Sequence, residues 1–277
     1  MADYDIRSAF EAIENELIAS MIRNFKRHRA EETAKGFQWS QWQADQLDAL
    51  NAYKRRNREK FGKRFRGINH RIREAIRNAY EQGGADQEAS ILEAILRGAS
   101  LRNHSDTLGG SFFHTNERKL NALLRAVMDD MERAEVAVLR RANDAYRKII
   151  FNAQVYANTG AGTYEKAVDM ATRDFLVAGL RCVVYKNGAR HTLSDYADMA
   201  IKTASKRAYL QGEGLKRQEW GVSTVIINRR GGACPKCAQY CGKVYIDDVW
   251  SGGKPSDGDY PLLSSAIEGG LLSLIHI

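Results

Sequence analysis

The chain has 277 residues, 44% hydrophobic and 27% charged, which are the proportions of an ordinary folded protein with enough length for one large or two medium cores. No apolar run approaches membrane-spanning length, so no membrane partner is expected, and Met1 to Arg7 hold no basic stretch followed by an apolar one, so no signal peptide is expected. Four cysteines in a chain read as unsecreted point to reduced thiols or metal ligation rather than a disulfide framework.

The net charge of +8 is local. Residues 54–77 carry Lys54, Arg55, Arg56, Arg58, Lys60, Lys63, Arg64, Arg66, Arg71, Arg73 and Arg77 against Glu59 and Glu74, so the rest of the chain is close to neutral. A partner question therefore attaches to that segment alone. All three prolines, Pro235, Pro255 and Pro261, fall late. A long proline-free stretch of strong helix formers predicts helices, and the tail predicts turns and short strands.

In chain order, Ile6, Phe10, Ile13, Leu17, Met21 and Phe25 recur at threes and fours and predict an amphipathic helix stopped by Gly36. Ser40 can cap a second helix with Trp42, Leu47, Leu50 and Tyr53 on its apolar stripe. That stripe continues through the basic segment as Phe61, Phe65, Ile68, Ile72 and Ile76 until Gly83-Gly84, which should end the helix; a shorter helix is expected at 87–96. The basic segment has two readings. In one, Lys54, Arg55, Arg56, Arg58, Lys63, Arg64 and Arg66 bind phosphates of DNA or an acidic partner. In the other, they are the solvated face of a core helix. Phe61 and Phe65 share the isoleucine stripe and read as core, not as base-stacking platforms.

Residues 98–113, rich in Gly, Ser and Asn, predict a loop; His104 in it and His114 beside it could be ligands, but loop histidines are usually just exposed. A long helix should run over about 117–158, with Leu120, Leu124, Val127, Met131, Ala134, Val138, Ala142, Tyr146, Ile149 and Ala153 inward. Gly160 and Gly162 break it, and Thr163 can cap a helix to about 178. Residues 179–185 read as a short strand turned by Asn187-Gly188, with Cys182 as a small buried hydrophobe. Thr192-Leu-Ser-Asp195 is a capping-box pattern opening a helix with Tyr196, Met199, Ala200, Thr203, Ala204 and Ala208 inward and its end by Gly221.

The stretch after it is the densest in chemistry. An apolar run at 222–227 precedes Gly231-Gly232-Ala233-Cys234-Pro235-Lys236-Cys237, then Cys241, then a second short strand at 243–246. Strand, glycine turn, Cys-x-x-Cys and strand make a knuckle in which the thiolates of Cys234 and Cys237 can hold one zinc ion. Structural zinc needs about four ligands, and one pair plus Cys241 falls short; the competing reading is a tight turn with reduced or partly paired thiols. A thioredoxin-like role is disfavoured because no helical pattern starts directly after the motif. No phosphate-binding Gly-rich loop or nucleophile elbow is present. His191, Asp195 and a distant Cys237 could be drawn as a hydrolytic set, but such a set can be drawn on most chains, and no catalysis is expected.

The order of these motifs resembles the phage minor capsid protein 2 family, tailed-phage head proteins distantly similar to the Mu F head-morphogenesis proteins. The resemblance rests on Gly188-Ala-Arg-His-Thr-Leu-Ser-Asp-Tyr196-Ala-Asp-Met199 with Lys202-Thr203, on Gly231-Gly232-Ala233-Cys234-Pro235-x-Cys237, on Gly242-Lys243-Val244-Tyr245, on Tyr260-Pro261-Leu262 and on Gly269-Gly270. The N-terminal helical part is similar more loosely. His191 stands where the family more often has Trp, Lys202 where it more often has Arg, and Cys241 where a polar residue is usual. After Leu271 the family pattern continues with an aromatic and His-Pro-x-Cys, whereas this chain reads Leu272-Ser-Leu-Ile-His-Ile277, which resembles translated adapter sequence. The expectation is a C-terminally truncated chain with 272–277 not native, His276 no ligand, and the Cys234–Cys237 site only half complete.

The expected fold is mainly α, with long N-terminal helices and a small C-terminal α+β domain containing the Cys-x-x-Cys knuckle. Expected regions are 1–100, helical with the basic helix; 101–178, loop plus long central helices; and 179–277, the knuckle domain. The resemblance implies a structural minor capsid protein acting in head assembly near the portal. Its partners would be portal, major capsid or scaffold proteins and packaged DNA. It would reside in the virion, and in host cytoplasm during assembly, with zinc in the full-length protein. The competing function is a zinc-knuckle DNA-binding protein using the basic helix at 54–77.

Overall fold

A computed structural model describes residues 2–35, 39–99, 110–158, 166, 169–170, 173, 180–181, 183–184, 188–228 and 235–271; side chains are described in α1 for 6–23, in α2 for 48 and from 50 on, and in α3 for 117–148 and 151–152. It is mainly helical. The elements are α1 (Ala2–Lys35), α2 (Trp39–Leu96), α3 (Gly110–Asn158), β1 (Val183–Val184), β2 (Arg190–His191), α4 (Leu193–Glu219), β3 (Thr224–Ile226), α5 (Pro235–Ala238), β4 (Val244–Ile246), a 3-10 turn (Pro255–Asp257) and α6 (Leu263–Glu268). They pack as two compact units, Met1–Ile72 with Met128–Ala200, and Arg73–Val127 with Ile201–Ile277.

The first unit is built on the stripes the sequence predicts. Ile6, Phe10, Ile13, Leu17 and Met21 of α1 are buried, as are Leu50, Tyr53, Phe61, Phe65, Ile68 and Ile72 of α2 and Met131, Ala134, Val138, Ala142 and Tyr146 of α3. Spacing at threes and fours places each set on one side of its helix, and removing those side chains from water drives the packing. Phe10 lies 6.3 Å from Phe65 between ring centroids, and Tyr53 stacks on Tyr146 at 4.7 Å. The short ribbon β1–β2 pairs Val183 with His191 and Val184 with Arg190 in antiparallel register.

The N-terminus of α4 shows how this unit closes. Its first amides lack intrahelical acceptors. The Asp195 amide donates to Thr192 Oγ1 at 3.1 Å, as the capping pattern predicts. The Leu193 amide donates to Glu14 Oε1 of α1 at 2.7 Å, and Ser194 Oγ donates to Glu14 Oε2 at 2.9 Å. Glu14 is thus a buried cap supplied from another helix.

The second unit corrects the reading of Gly83-Gly84 as a helix stop. Helix α2 runs unbroken from Trp39 to Leu96, so the separate helix at 87–96 is its last turns. Both glycines are buried, and neither has a positive φ. A Cβ on Gly83 would overlap the Tyr209 carbonyl of α4, and one on Gly212 would overlap the Tyr80 carbonyl of α2. These glycines let two helix backbones touch, and the contact outweighs the about 1 kcal/mol that glycine costs in a helix interior. The end of α4 is where glycine does terminate a helix. Gly221 has φ 68°, the Gly221 amide donates to the Gln218 carbonyl, and the Val222 amide donates to that of Arg217.

Two other expectations change. The loop expected at 98–113 is shorter at its far end, because α3 begins at Gly110, seven residues before the expected start. Met199 of α4 is exposed and not inward; Ala197, Ile201, Ala204 and Ala208 form the buried stripe. Met199 falls two positions from both Ala197 and Ile201, which turns it away from that side of the helix. The helix expected from 163 to about 178 lies largely outside the described residues, as do the placements of Cys182 and His104 and the side chains of Trp42, Leu47 and His114.

Candidate functional site

The sequence points to two places, the basic segment and the Cys-x-x-Cys turn. Within α2, Arg55, Arg56, Arg58, Lys63, Arg64 and Arg66 are exposed and Lys54 is half-buried, while the apolar stripe of the same turns is buried. At 3.6 residues per turn, Arg58, Arg55, Arg66 and Lys63 fall within about 140° of arc, which begins at Arg58 on the border of the stripe of Phe61, Phe65, Ile68 and Ile72 and turns away from it. Lys60 lies to one side, where its Nζ sits 2.8 Å from Glu16 Oε1, an oxygen that also receives Arg23 Nη2 at 2.7 Å. Those two cations hold the Glu16 carboxyl below its ordinary range by donating hydrogen bonds to it. By contrast, among the described residues Arg55, Arg58, Lys63 and Arg66 make no ion pair. Arg56 and Arg71 do have partners.

The core of the same unit buries two carboxylates, Glu135 and Glu14. Glu135 of α3 is 8% exposed and accepts a hydrogen bond from Asn69 Nδ2 at 2.9 Å. Burial pushes its carboxyl up to about 7, only partly offset by the Asn69 hydrogen bond, and nearby Glu132 adds to the rise. The Asn69 Oδ1 is itself buried with no hydrogen-bond partner. Glu14 is likewise raised by burial against its three lowering hydrogen bonds. The Tyr53 hydroxyl is pushed up to about 12, chiefly by burial.

At the C-terminal turn, β3 and β4 pair antiparallel, Thr224 with Ile246, Val225 with Tyr245 and Ile226 with Val244. The connection between them holds α5, a single helical turn that carries Cys237. The motif's second cysteine therefore sits inside a helical turn. Cys241 Sγ donates to the Cys237 carbonyl at 3.4 Å. Cys234 lies outside the described residues. Among the described residues, no three His, Cys, Asp or Glu side chains gather closely enough to hold a metal ion.

This segment has its own small core. Tyr245, Leu263, Ala266 and Leu271 are buried, with Val225, Ile227, Tyr240, Val249, Trp250 and Ile267 packed on them. The Tyr240 hydroxyl donates to the Gly269 carbonyl at 2.7 Å. Asp247, fully buried, fastens it to the helices. Its Oδ2 accepts from Arg217 Nη2 at 2.9 Å and Nε at 3.3 Å, and its Oδ1 accepts from the Trp250 amide at 2.9 Å. Arg217 also donates through Nη1 to Gln87 Oε1 at 2.8 Å. Each of the three guanidinium nitrogens thus has a hydrogen-bond acceptor, two of them on one carboxylate oxygen, and a buried ion pair is tolerated when its members are hydrogen-bonded in this way.

The residues of the hydrolytic set lie in different elements. His191 lies in β2, and Asp195 Oδ1, in the first turn of α4, accepts from Arg7 Nη2 at 3.1 Å. Cys237 belongs to the other unit. Sequence reasoning missed Glu14, Glu135, Arg217 and Asp247. A signal existed for the first two: Glu14 is four residues after Phe10 and Glu135 four after Met131, so each is a carboxylate in the phase of an apolar stripe.

No described helix is long and apolar enough to cross a membrane. No curated protein and no solved structure matches the chain. The family model for phage minor capsid protein 2 matches residues 4–268. The chain therefore belongs to the phage minor capsid protein 2 family, a family of structural phage-head proteins.

Proposed function

We propose that this protein joins the head of a tailed bacteriophage during assembly, near the portal vertex and in few copies, and acts by fitting against its neighbours. The observation that carries this reading is the family match over 4–268. The long helices α2 and α3, of 58 and 49 residues, support it, since they present extended faces suited to protein–protein contact. Portal, major capsid or scaffold proteins are the proposed partners, met in the host cytoplasm and retained in the virion. The exposed cations of α2 between 54 and 66 are the proposed contact for a polyanionic surface, and no chemical step is required.

Within the chain, 1–100 and 101–178 act as the helical contact regions and 179–277 as a small α+β module around the Cys-x-x-Cys turn. Cys234 and Cys237 are its proposed thiolate pair, offering two of about four zinc ligands. A pair alone gives weak affinity.

Co-expression with the portal, scaffold and major capsid proteins of the same phage tests the reading. The expected result is co-sedimentation of this chain with assembled particles, lost when the portal protein is omitted. A chain that stays at the top of the gradient while particles form overturns it.

A further inference from the structure

We propose that the face of α2 carrying Arg55, Arg58, Lys63 and Arg66 binds the phosphate backbone of double-stranded DNA. The inference names the polyanion left open above. It rests on the head-protein reading only for its setting, since duplex DNA is what a filled head holds.

Three observations carry it. First, the four cations are exposed and make no ion pair among the described residues, whereas neighbouring Lys60 is held by Glu16. Their charge is left for something outside the chain; Glu59 is the single acidic residue among them. Second, they stand on a helix anchored through its neighbouring stripe of Phe61, Phe65, Ile68 and Ile72, so binding orders no new backbone. Positions 55 to 66 span about 16 Å of helix axis, a length over which duplex DNA presents on the order of ten phosphates. Three of the four are arginines, whose planar fork matches a phosphate bidentately.

Third, the face lacks what a protein partner would require. The exposed large hydrophobic residues described in this unit are Val136, Phe151, Met170, Val184 and Met199; none lies between 50 and 72 of α2. Protein interfaces have an apolar or aromatic centre depleted of charge, whereas DNA interfaces are more polar and far more positive. A charged face with no apolar centre selects the nucleic acid. Contacts to phosphate alone carry no sequence information, so binding should be independent of sequence.

The test is fluorescence anisotropy of the full chain with short labelled duplexes of two unrelated sequences, across a salt series. Four phosphate contacts predict a slope of log Kobs against log[salt] of about −3 to −4, hence a loss of about 100-fold between about 50 and 200 mM salt. The variant Arg55→Gln, Arg58→Gln, Lys63→Gln and Arg66→Gln should lose nearly all of that slope with its helical circular dichroism unchanged. A control, Arg118→Gln, Lys119→Gln, Arg140→Gln and Arg141→Gln, alters four exposed cations of α3 to the same net charge and should bind like the native chain. Single Arg55→Gln and Arg66→Gln changes should each flatten the slope by about one. The proposal is overturned if the control loses as much as the α2 variant, if the α2 variant keeps its slope, or if poly-glutamate binds and duplex DNA does not. The last result would assign the face to an acidic protein. None of these results bears on whether the chain is found in purified heads, so the two readings fail separately.

Discussion

Glu135→Gln is the sharpest perturbation the core offers. The carboxyl is 8% exposed, bonded to Asn69 Nδ2, and raised by burial from 4.5 to about 7. At about 1.4 kcal/mol per pH unit, that rise corresponds to a difference on the order of 3 kcal/mol between the protonation states. The sign follows from linkage. The folded state holds this proton more tightly than the unfolded chain does. The stabilisation is therefore fully present below about pH 4.5 and is lost as the pH rises through about 7. Glutamine keeps the shape and cannot ionise. It also gives the unpartnered Asn69 Oδ1 a donor, because the two amides can exchange two hydrogen bonds. Urea unfolding followed by circular dichroism should find the variant more stable than the native chain by about 1–3 kcal/mol at pH 8 and within about 0.5 kcal/mol at pH 4. Glu14 and Glu213 are also raised by burial and contribute a slope of the same sign, so the decisive quantity is the difference between the two proteins' pH profiles. Parallel profiles, or a variant no more stable at pH 8, would refute the assignment.

Other substitutions test the packing. Gly83→Ala and Gly212→Ala each drive a methyl group into a facing carbonyl and should lower stability by at least about 1–3 kcal/mol, whereas Gly67→Ala, with open space around its Cβ, should raise it by up to about 1 kcal/mol in the same thermal melts. Equal effects at 67 and 83 would show that helix propensity and not backbone contact governs these sites. Asp247→Ala removes the carboxylate that Arg217 hydrogen-bonds, leaving the buried guanidinium only the carboxylate of Glu213 at 3.8 Å, and should cost about 3–5 kcal/mol in denaturant unfolding. A loss under about 1 kcal/mol would mean that solvent reaches the guanidinium. Glu14→Ala orphans the Leu193 amide and leaves the Ser194 hydroxyl with Thr192 Oγ1 alone, and should cost about 1–3 kcal/mol, with Glu14→Gln recovering part of it; faster amide exchange at the start of α4 reports the same loss.

How far the sequence reaches can be seen residue by residue. The stripes of α1, α2 and α3 are legible because local spacing alone decides which side of a helix is apolar, and Ile6 through Met21 or Leu124 through Tyr146 repeat that spacing without interruption. The basic face is legible for the same reason, since the phases of α2 outside the apolar stripe carry most of its charge. Gly83-Gly84 misleads because glycine has two uses. Only the fold brings Tyr209 against it, and a residue 126 positions later is invisible to a local rule. Met199 misleads because α4 buries alanines, whose stripe is a weaker hydrophobic signal than the methionine beside it. Glu14 capping α4 across 179 residues, and Arg217 meeting Asp247 across 30, are tertiary events; the sequence shows only that a charge stands where an apolar residue is expected.

The account stands on this protein being a built-in part of the phage head. Quantitative mass spectrometry of purified, DNA-filled particles from the phage that encodes it measures this directly. The account predicts its peptides in the particles, at far fewer copies than the major capsid protein and retained after a high-salt wash. Particles that are complete and infectious without it would contradict the account.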